Sequence, residues 1–546
     1  MQGLMQRQPL LISNIIKHAA RHHGRREIVS KQIDGTIHRT TWSEVEVRSR
    51  RLWRALQRLG IVPGERVGSL AWNGFRHLEL LYGVSGSGVI LHTINPRLSI
   101  DDITYIANHA GDVAIFVDLS FVKLAEQLAP LMGDKLRHVI MLCPVSEMPK
   151  LALPAKVAVH CYETLIDEAD GDFAWPVLDE NSGTVVCYTS GTTGRPKGVL
   201  YSNRSAVLHA MMAISPDAFA MRATDCVLPG GQMFHVTGWG LPYCTAMVGA
   251  KLVLTGPHLD GASLAELTET EDVTFMLGVP TIWFGLLDEF RRKNSRPRTL
   301  QRILVAGSAL PRLLVDAFGA WGVDVQQAWG MTETSPVVTY NAPLHETGSL
   351  AGDALAALKL RQGRCMFGAD VKIVDGDGNE LPWDGKSFGD LKTRGPWVVE
   401  RYMWDEGVGA ESDGWFHTGD VATMDAYGFV ELVDRTKDVI KSGGEWISSI
   451  ALENIAVAHP DVQEAAAVAV PHPRWVERPL VLVVPKPGRT IDTASVLALY
   501  EGAVAKWWIP DRVVVVEELP HTATGKLNKL ALRSRYGSVF ADELTK

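Results

Sequence analysis

The sequence predicts an α/β fold. A large N-terminal domain of layered α/β subdomains, ending in a small β-barrel-like region, precedes a small C-terminal α+β domain. Three observations predict this. Apolar strand-like runs alternate with helical stretches from Arg66 through Val305, the pattern of parallel α/β layers. Between Met366 and Val433 the texture changes to short strands (VKIV, DLKTRG, FVELV) separated by turn pairs such as DGDGN and DAYG. Beyond Asp434 a second alternation begins, with pieces VQEAAAVAVP, PLVLVVPKP and RVVVVEEL.

At the N-terminus, Leu11, Ile15, Ile16 and Ala19 fall at helical spacing, so a first surface helix docked on the domain is expected. The segment is basic, and a transit peptide is the alternative. Its apolar core is short for a signal peptide, and no small-residue cleavage pattern follows. RVGSLAW, VILHTIN and VAIFVD then read as strands, with DDITYIANHA as a helix between the last two. DVTFMLGVP and RILVAG read as further strands, with a helix over Ile282 to Arg292 between them. The polar run DRTKD marks a linker, dividing the chain into residues 1–434 and 435–546.

With 54 Lys and Arg against 62 Asp and Glu, the formal charge of -8 excludes a basic nucleic-acid footprint. No apolar run reaches membrane-span length. The six cysteines are scattered without a CxxC pair, as in reduced, cytoplasmic proteins.

The segment most informative about chemistry is CYTSGTTGRPKGVLYSN, Cys187 to Asn203. GTVVCY (Gly183 to Tyr188) reads as a strand, and Ser202 reads as the N-cap of a following helix. Between them, glycines let successive backbone N–H groups converge on an anion. Ser190, Thr192 and Thr193 add hydroxyl donors, and Lys197 adds a mobile charge. Such a loop suits a polyphosphate. It differs from the common nucleotide loop GxxxxGK[ST], because no Ser or Thr follows the lysine.

The twelve residues YTSGTTGRPKGV resemble the phosphate loop of the adenylate-forming enzymes, which include acyl-CoA synthetases, peptide-synthetase adenylation domains and beetle luciferase. Four further motifs follow in family order across nearly the whole chain: QQAWGMTETS, DGWFHTGD, VDRTKDVIKSGGEWISS and LPHTATGKLNK. The resemblance implies ATP, Mg2+ and CoA as co-substrates and cofactor. It implies that Thr189, Ser190, Gly191, Thr192, Thr193, Gly194 and Lys197 hold phosphates. Gln327, Ala328 and Trp329 would flank the adenine, although most relatives carry Tyr at the Trp329 position. Thr332 would touch phosphate, and Glu333 with Thr189 would hold magnesium. Asp420 would accept the ribose hydroxyls, and Arg435 would contact ribose and phosphate. Lys437 falls on the hinge of a mobile small domain. Lys441, Gly443, Gly444 and Trp446 lie in the segment presented to CoA after rotation. Lys526 matches the catalytic lysine.

For the acid, GGQMFHVTGWGLPY is similar to a segment of medium- and long-chain fatty acyl-CoA synthetases and 3-(methylthio)propanoyl-CoA ligases. The resemblance implies that Trp239 gates the acyl tunnel and His235 walls its carboxylate end, with Gly307 beside both acid and nucleotide. His235 and Trp239 are four apart, so on a helix they would share a face; a core aromatic pair is the alternative. Gln232 stands where proline is common, Gly238 where alanine is common, and AGSALP lacks the usual starting double glycine. All three departures sit where pocket shape is set.

The first rival is a stand-alone adenylation domain, which usually places an acidic residue near the FHV segment; Phe234 to Gly238 carries none. An aryl-acid ligase is a second. A luciferase-type oxygenase is a third, against which DELTK is no peroxisomal signal. A non-enzymatic nucleotide binder is the fourth, and it would be expected to lack Lys526 or the phosphate loop. A homodimer through the N-terminal LLISNII stretch is the assembly relatives suggest.

Overall fold

The computed structural model describes residues 1, 3–169, 173–189, 195–405, 409–442, 445–521 and 527–540. The chain forms two compact units, residues 1–371 with 393–416 and residues 372–392 with 417–546.

Among the described residues, the first unit carries two large sheets. A seven-stranded sheet runs in the order Ala158–Cys161, His138–Met141, Asp112–Val117, Arg66–Leu70, Ile90–Thr93, Gly183–Tyr188, Gly198–Ser202. All its pairs are parallel except the last, Gly183–Tyr188 with Gly198–Ser202. A nine-stranded sheet has a parallel centre, including Phe275–Gly278, Arg302–Val305 and Asp324–Gly330. Antiparallel strands flank it on both edges. Central strands are buried on both faces, which explains their continuous apolar runs: Ile303, Leu304 and Val305 are all fully buried.

The N-terminal helix Ile12–His23 buries Ile12, Ile15, Ile16 and Ala19, as its spacing predicts. It docks through Ile12 N, which donates to Asn203 Oδ1 at 3.0 Å. No described helix is long and apolar enough to cross a membrane.

The second unit contains most of a four-stranded sheet in the order Asp370–Val374, Phe388–Arg394, Phe416–Met424, Val430–Arg435. A five-stranded sheet follows, built on the long antiparallel pair Val462–His472 and Val476–Pro485, the second of which also pairs with Arg512–Val515. Beside these strands, Lys529 Nζ lies 2.7 Å from Glu453 Oε1 and 2.5 Å from Ser449 Oγ. Burial disfavours the charged form of Glu453, and the Lys529 ammonium opposes that effect.

Candidate active site

In the first unit, both ends of the glycine-rich loop are fixed. Gly183–Tyr188 and Gly198–Ser202 pair antiparallel, with Tyr188 opposite Gly198. Thr189 N donates to Lys197 O at 3.0 Å, and Lys197 N reaches Thr189 Oγ1 at 3.5 Å. Ser202 caps the helix Asn203–Ala213 by accepting from Ser205 N, as the sequence predicts. Helix Ile100–Ala110 steadies both flanks. Tyr188 Oη and His109 Nδ1 are 2.6 Å apart, and the Arg195 guanidinium lies 4.9 Å from the Tyr105 ring centroid. Ser190, Gly191, Thr192, Thr193 and Gly194 lie outside the described residues.

The predicted adenine-side residues end the strand Asp324–Gly330. Gln327, Ala328 and Trp329 are all buried. The Gln327 side-chain oxygen has no hydrogen-bond partner, so a buried acceptor is free for a donor such as an exocyclic amine. Beyond this strand the chain makes a short turn at Thr332–Thr334. Tyr201 Oη donates to Thr332 O at 2.6 Å, tying the turn to the strand that leaves the phosphate loop. Glu333 is 6% exposed. Its Oε1 accepts from Tyr402 Oη at 2.8 Å, and its carbonyl accepts from Val399 N at 2.7 Å. A single carboxylate with hydroxyl oxygens nearby in sequence order fits Mg2+, which keeps water and phosphate oxygens among its ligands. Among the described residues, no group of three or more His, Cys, Asp or Glu forms a closed metal cage.

The acyl segment differs from the helical-face expectation. His235 is extended (φ -110°), while Val236, Thr237, Gly238, Trp239 and Gly240 have φ of 38°, 45°, 60°, 60° and 76°. This is a left-handed turn, so His235 and Trp239 do not share the face of a right-handed helix. Left-handed geometry costs L-residues about 1–2 kcal/mol each, and three of the five are not glycine. Close packing holds the turn. A Cβ at Gly231 or Gly307 would come within 3.2 Å of the Trp239 indole, and one at Gly238 within 3.1 Å of Met233. Gly307 is itself left-handed, at φ 80°. His235 packs its ring 4.9 Å from that of Phe234.

Gln232, the departure from proline, has a clear role. Its Oε1 accepts from Asn73 N and its Nε2 donates to Gly256 O, each at 3.0 Å. Asn73 Oδ1 in turn accepts from Met233 N at 2.6 Å. Proline there could make neither side-chain bond. Beneath the turn lies a cavity of about 10 Å³, room for one water, lined in part by Tyr201, His209, Thr237 and Tyr243. The buried Tyr243 hydroxyl has no hydrogen-bond partner.

In the second unit, Asp420 and Arg435 lie opposite each other on paired strands. The Lys437 carbonyl accepts from Arg533 Nη1 at 3.2 Å, and burial lowers the Lys437 ammonium pKa. Lys441 N donates to Glu477 Oε2 at 2.7 Å. Lys441 pairs in register with Trp446, whose side chain is outside the described set, as are Gly443, Gly444 and Lys526. Arg478 braces the first strand of that hairpin, donating to Ser442 Oγ at 3.1 Å while pairing with Asp511. Sequence reasoning missed Asn73, His109, Tyr402 and Arg478, which belong to no motif, and gave no role to Tyr201 within the quoted segment; each acts through contacts distant in the chain.

The pattern of the family described as AMP-binding enzyme matches residues 16–403, and that of the AMP-binding enzyme C-terminal domain matches residues 451–526. A medium-chain-fatty-acid–CoA ligase of Ectopseudomonas oleovorans is 46% identical over 542 residues, covering 99% of this chain and 98% of the relative. A 3-methylmercaptopropionyl-CoA ligase of Ruegeria lacuscaerulensis is 47% identical over 546 residues, covering 100% of both. A long-chain-fatty-acid–CoA ligase of Thermus thermophilus is 43% identical, covering 98% of this chain and 97% of the relative. The fold matches that of an anthranilate CoA ligase solved with anthranoyl-AMP, at a TM-score of 0.85 and 23% identity over 99% of this chain and 100% of that one. The chain belongs to the AMP-binding enzyme family.

Proposed function

We propose that this protein is an AMP-forming acyl-CoA synthetase whose acid is a medium- or long-chain fatty acid or a short thioether acid such as 3-(methylthio)propanoate. The observation that carries the class is full-length similarity at 43–48% identity to curated CoA ligases of these kinds.

In the first step, a substrate carboxylate oxygen attacks the α-phosphorus of ATP. The bond to the bridging oxygen breaks, and pyrophosphate leaves with acyl-adenylate formed. Two anions must meet, so positioned positive charge carries much of the catalysis. Lys197 serves the β- and γ-phosphates at the exit of the loop. Lys526 serves the incoming carboxylate and the α-phosphate, as a compact charge on a long stem. Gln327, Ala328 and Trp329 seat the adenine, and Asp420 with Arg435 takes the ribose. Magnesium, held by Glu333 and Thr189, would offset phosphate charge.

In the second step, the CoA thiolate attacks the acyl carbon and AMP leaves. The working boundary lies at Asp434 to Arg435. Rotation about Lys437 removes Lys526 and presents Lys441, Gly443, Gly444 and Trp446 to the pantetheine arm, a hinge closure that reuses one site. The protein acts in the cytoplasm, and a homodimer through the N-terminal helix is the proposed assembly.

The test is acyl-CoA formation, read by mass spectrometry, across propanoate to C18, 3-(methylthio)propanoate and aryl acids. A peak of kcat/KM at the thioether acid or within the C6–C18 range supports the proposal. A peak at aryl acids overturns the substrate reading.

A further inference from the structure

Tyr402 stands between two charges that the sequence motifs treat separately. Its hydroxyl donates to Glu333 Oε1 at 2.8 Å, and the Lys197 ammonium sits 4.8 Å from the centroid of its ring. Tyr402 is 8% exposed and Glu333 6%, so their hydrogen bond is largely shielded from water, while Lys197 is partly buried. Lys197 leaves the phosphate loop, Glu333 sits in the turn after the adenine strand, and Tyr402 comes from a third segment. A second tyrosine fastens the same two segments, since Tyr201 Oη donates to Thr332 O.

We propose that Tyr402 is a positioning residue that locks Lys197 and Glu333 into one unit for the phosphates and cation of MgATP. This rests on the reading of the site as an ATP site. The chemistry on each side of the ring differs. A cation within about 6 Å of an aromatic face is attracted by the ring quadrupole, and the attraction strengthens where water is excluded. A phenol donating to one carboxylate oxygen fixes the rotation of that carboxylate, and so the direction in which it faces a cation. The ring therefore limits where the ammonium goes, while the hydroxyl orients the carboxylate.

Tyr402→Phe separates the two roles, since it keeps the ring and removes the hydroxyl. Calorimetric titration of the full-length protein with ATP, with and without Mg2+ and with no acid present, reads binding apart from turnover. The expected result is about 10-fold weaker MgATP binding in Tyr402→Phe, from loss of one hydrogen bond to a charged group. Metal-free ATP binding should change less than about twofold, because the Lys197 side is intact. Tyr402→Leu should weaken both. Combining Tyr402→Phe with Glu333→Gln should add little to Glu333→Gln alone, whereas a hydroxyl acting independently of Glu333 would give additive losses. Equal binding of MgATP by Tyr402→Phe and wild type, equal weakening of both ligand forms in Tyr402→Phe, or additivity in the double variant overturns the proposal. Wild-type protein that binds no ATP in either form overturns the ligase reading itself.

Discussion

Arg435 Nε lies 2.7 Å from Asp420 Oδ1, and the two residues face each other across the antiparallel pair Phe416–Met424 and Val430–Arg435. Asp420 is almost fully buried and Arg435 about a third exposed, so the carboxylate is fixed and its partner retains access to solvent. A carboxylate can accept several donors at once, which suits a residue proposed to hold ribose hydroxyls. Asp420→Ala removes both bonds, and Asp420→Asn keeps one acceptor oxygen. ATP binding is expected to weaken about 10- to 100-fold in the alanine variant, the range for hydrogen bonds to a charged group, and less in the asparagine variant. Titration calorimetry checks this; unchanged binding in Asp420→Ala would remove Asp420 from the ribose site.

The Trp239 turn is held by small neighbours. Gly307→Ala places a methyl against the indole and a side chain in the left-handed region, so Trp239 should be displaced. The expected outcome is a changed order of kcat/KM across the acid panel with ATP KM moving less than about threefold.

The hinge assignment predicts a split between half-reactions. Arg533 braces the Lys437 carbonyl and pairs with Asp438 at 2.6 Å. Proline at 437 restricts the backbone there. Lys437→Pro should therefore slow acyl transfer to CoA by at least about tenfold more than adenylate formation, resolved by rapid quench. Equal slowing of both steps argues against a hinge at this position.

Two buried histidines set part of the pH dependence of stability. Burial lowers the pKa of His77 to about 4 and that of His209 to about 3. His209 Nε2 accepts from Val337 N, a bond only the neutral ring can make. Below the unfolded value of 6.5, the unfolded chain takes up protons that the fold refuses. Stability contributed by these groups is therefore present above pH 6.5 and lost as pH falls toward 4. Each contributes a slope of about 1.4 kcal/mol per pH unit in that window. His77→Gln should flatten the slope by one proton, measured by urea unfolding between pH 7 and 4.5.

The legible parts of this protein are those encoded locally. Gly183–Tyr188, the Ser202 cap and the buried stripe of Ile12–His23 follow from a few adjacent side chains, and the structure has all three. The Trp239 turn was misread because a four-residue spacing implies a helix only when φ is negative. Val236 and Thr237 are β-branched residues that do not announce a left-handed backbone. Gln232 looked like a pocket-shaping departure, yet its partners Asn73 and Gly256 make it a structural clamp. Tyr402 was invisible because Glu333 is 69 positions away and joins it only through the fold.

The central claim is that acid and ATP form an adenylate before CoA takes part. Its most direct measurement is isotope exchange between pyrophosphate and ATP, with the preferred acid and Mg2+ present and CoA withheld. CoA is then added, and AMP and acyl-CoA are followed. The expected result is exchange that requires the acid and no CoA, followed by release of AMP and acyl-CoA in equal amounts once CoA arrives. Exchange supported by amino acids and indifferent to CoA, or no exchange with any acid by a protein that binds ATP, would contradict it.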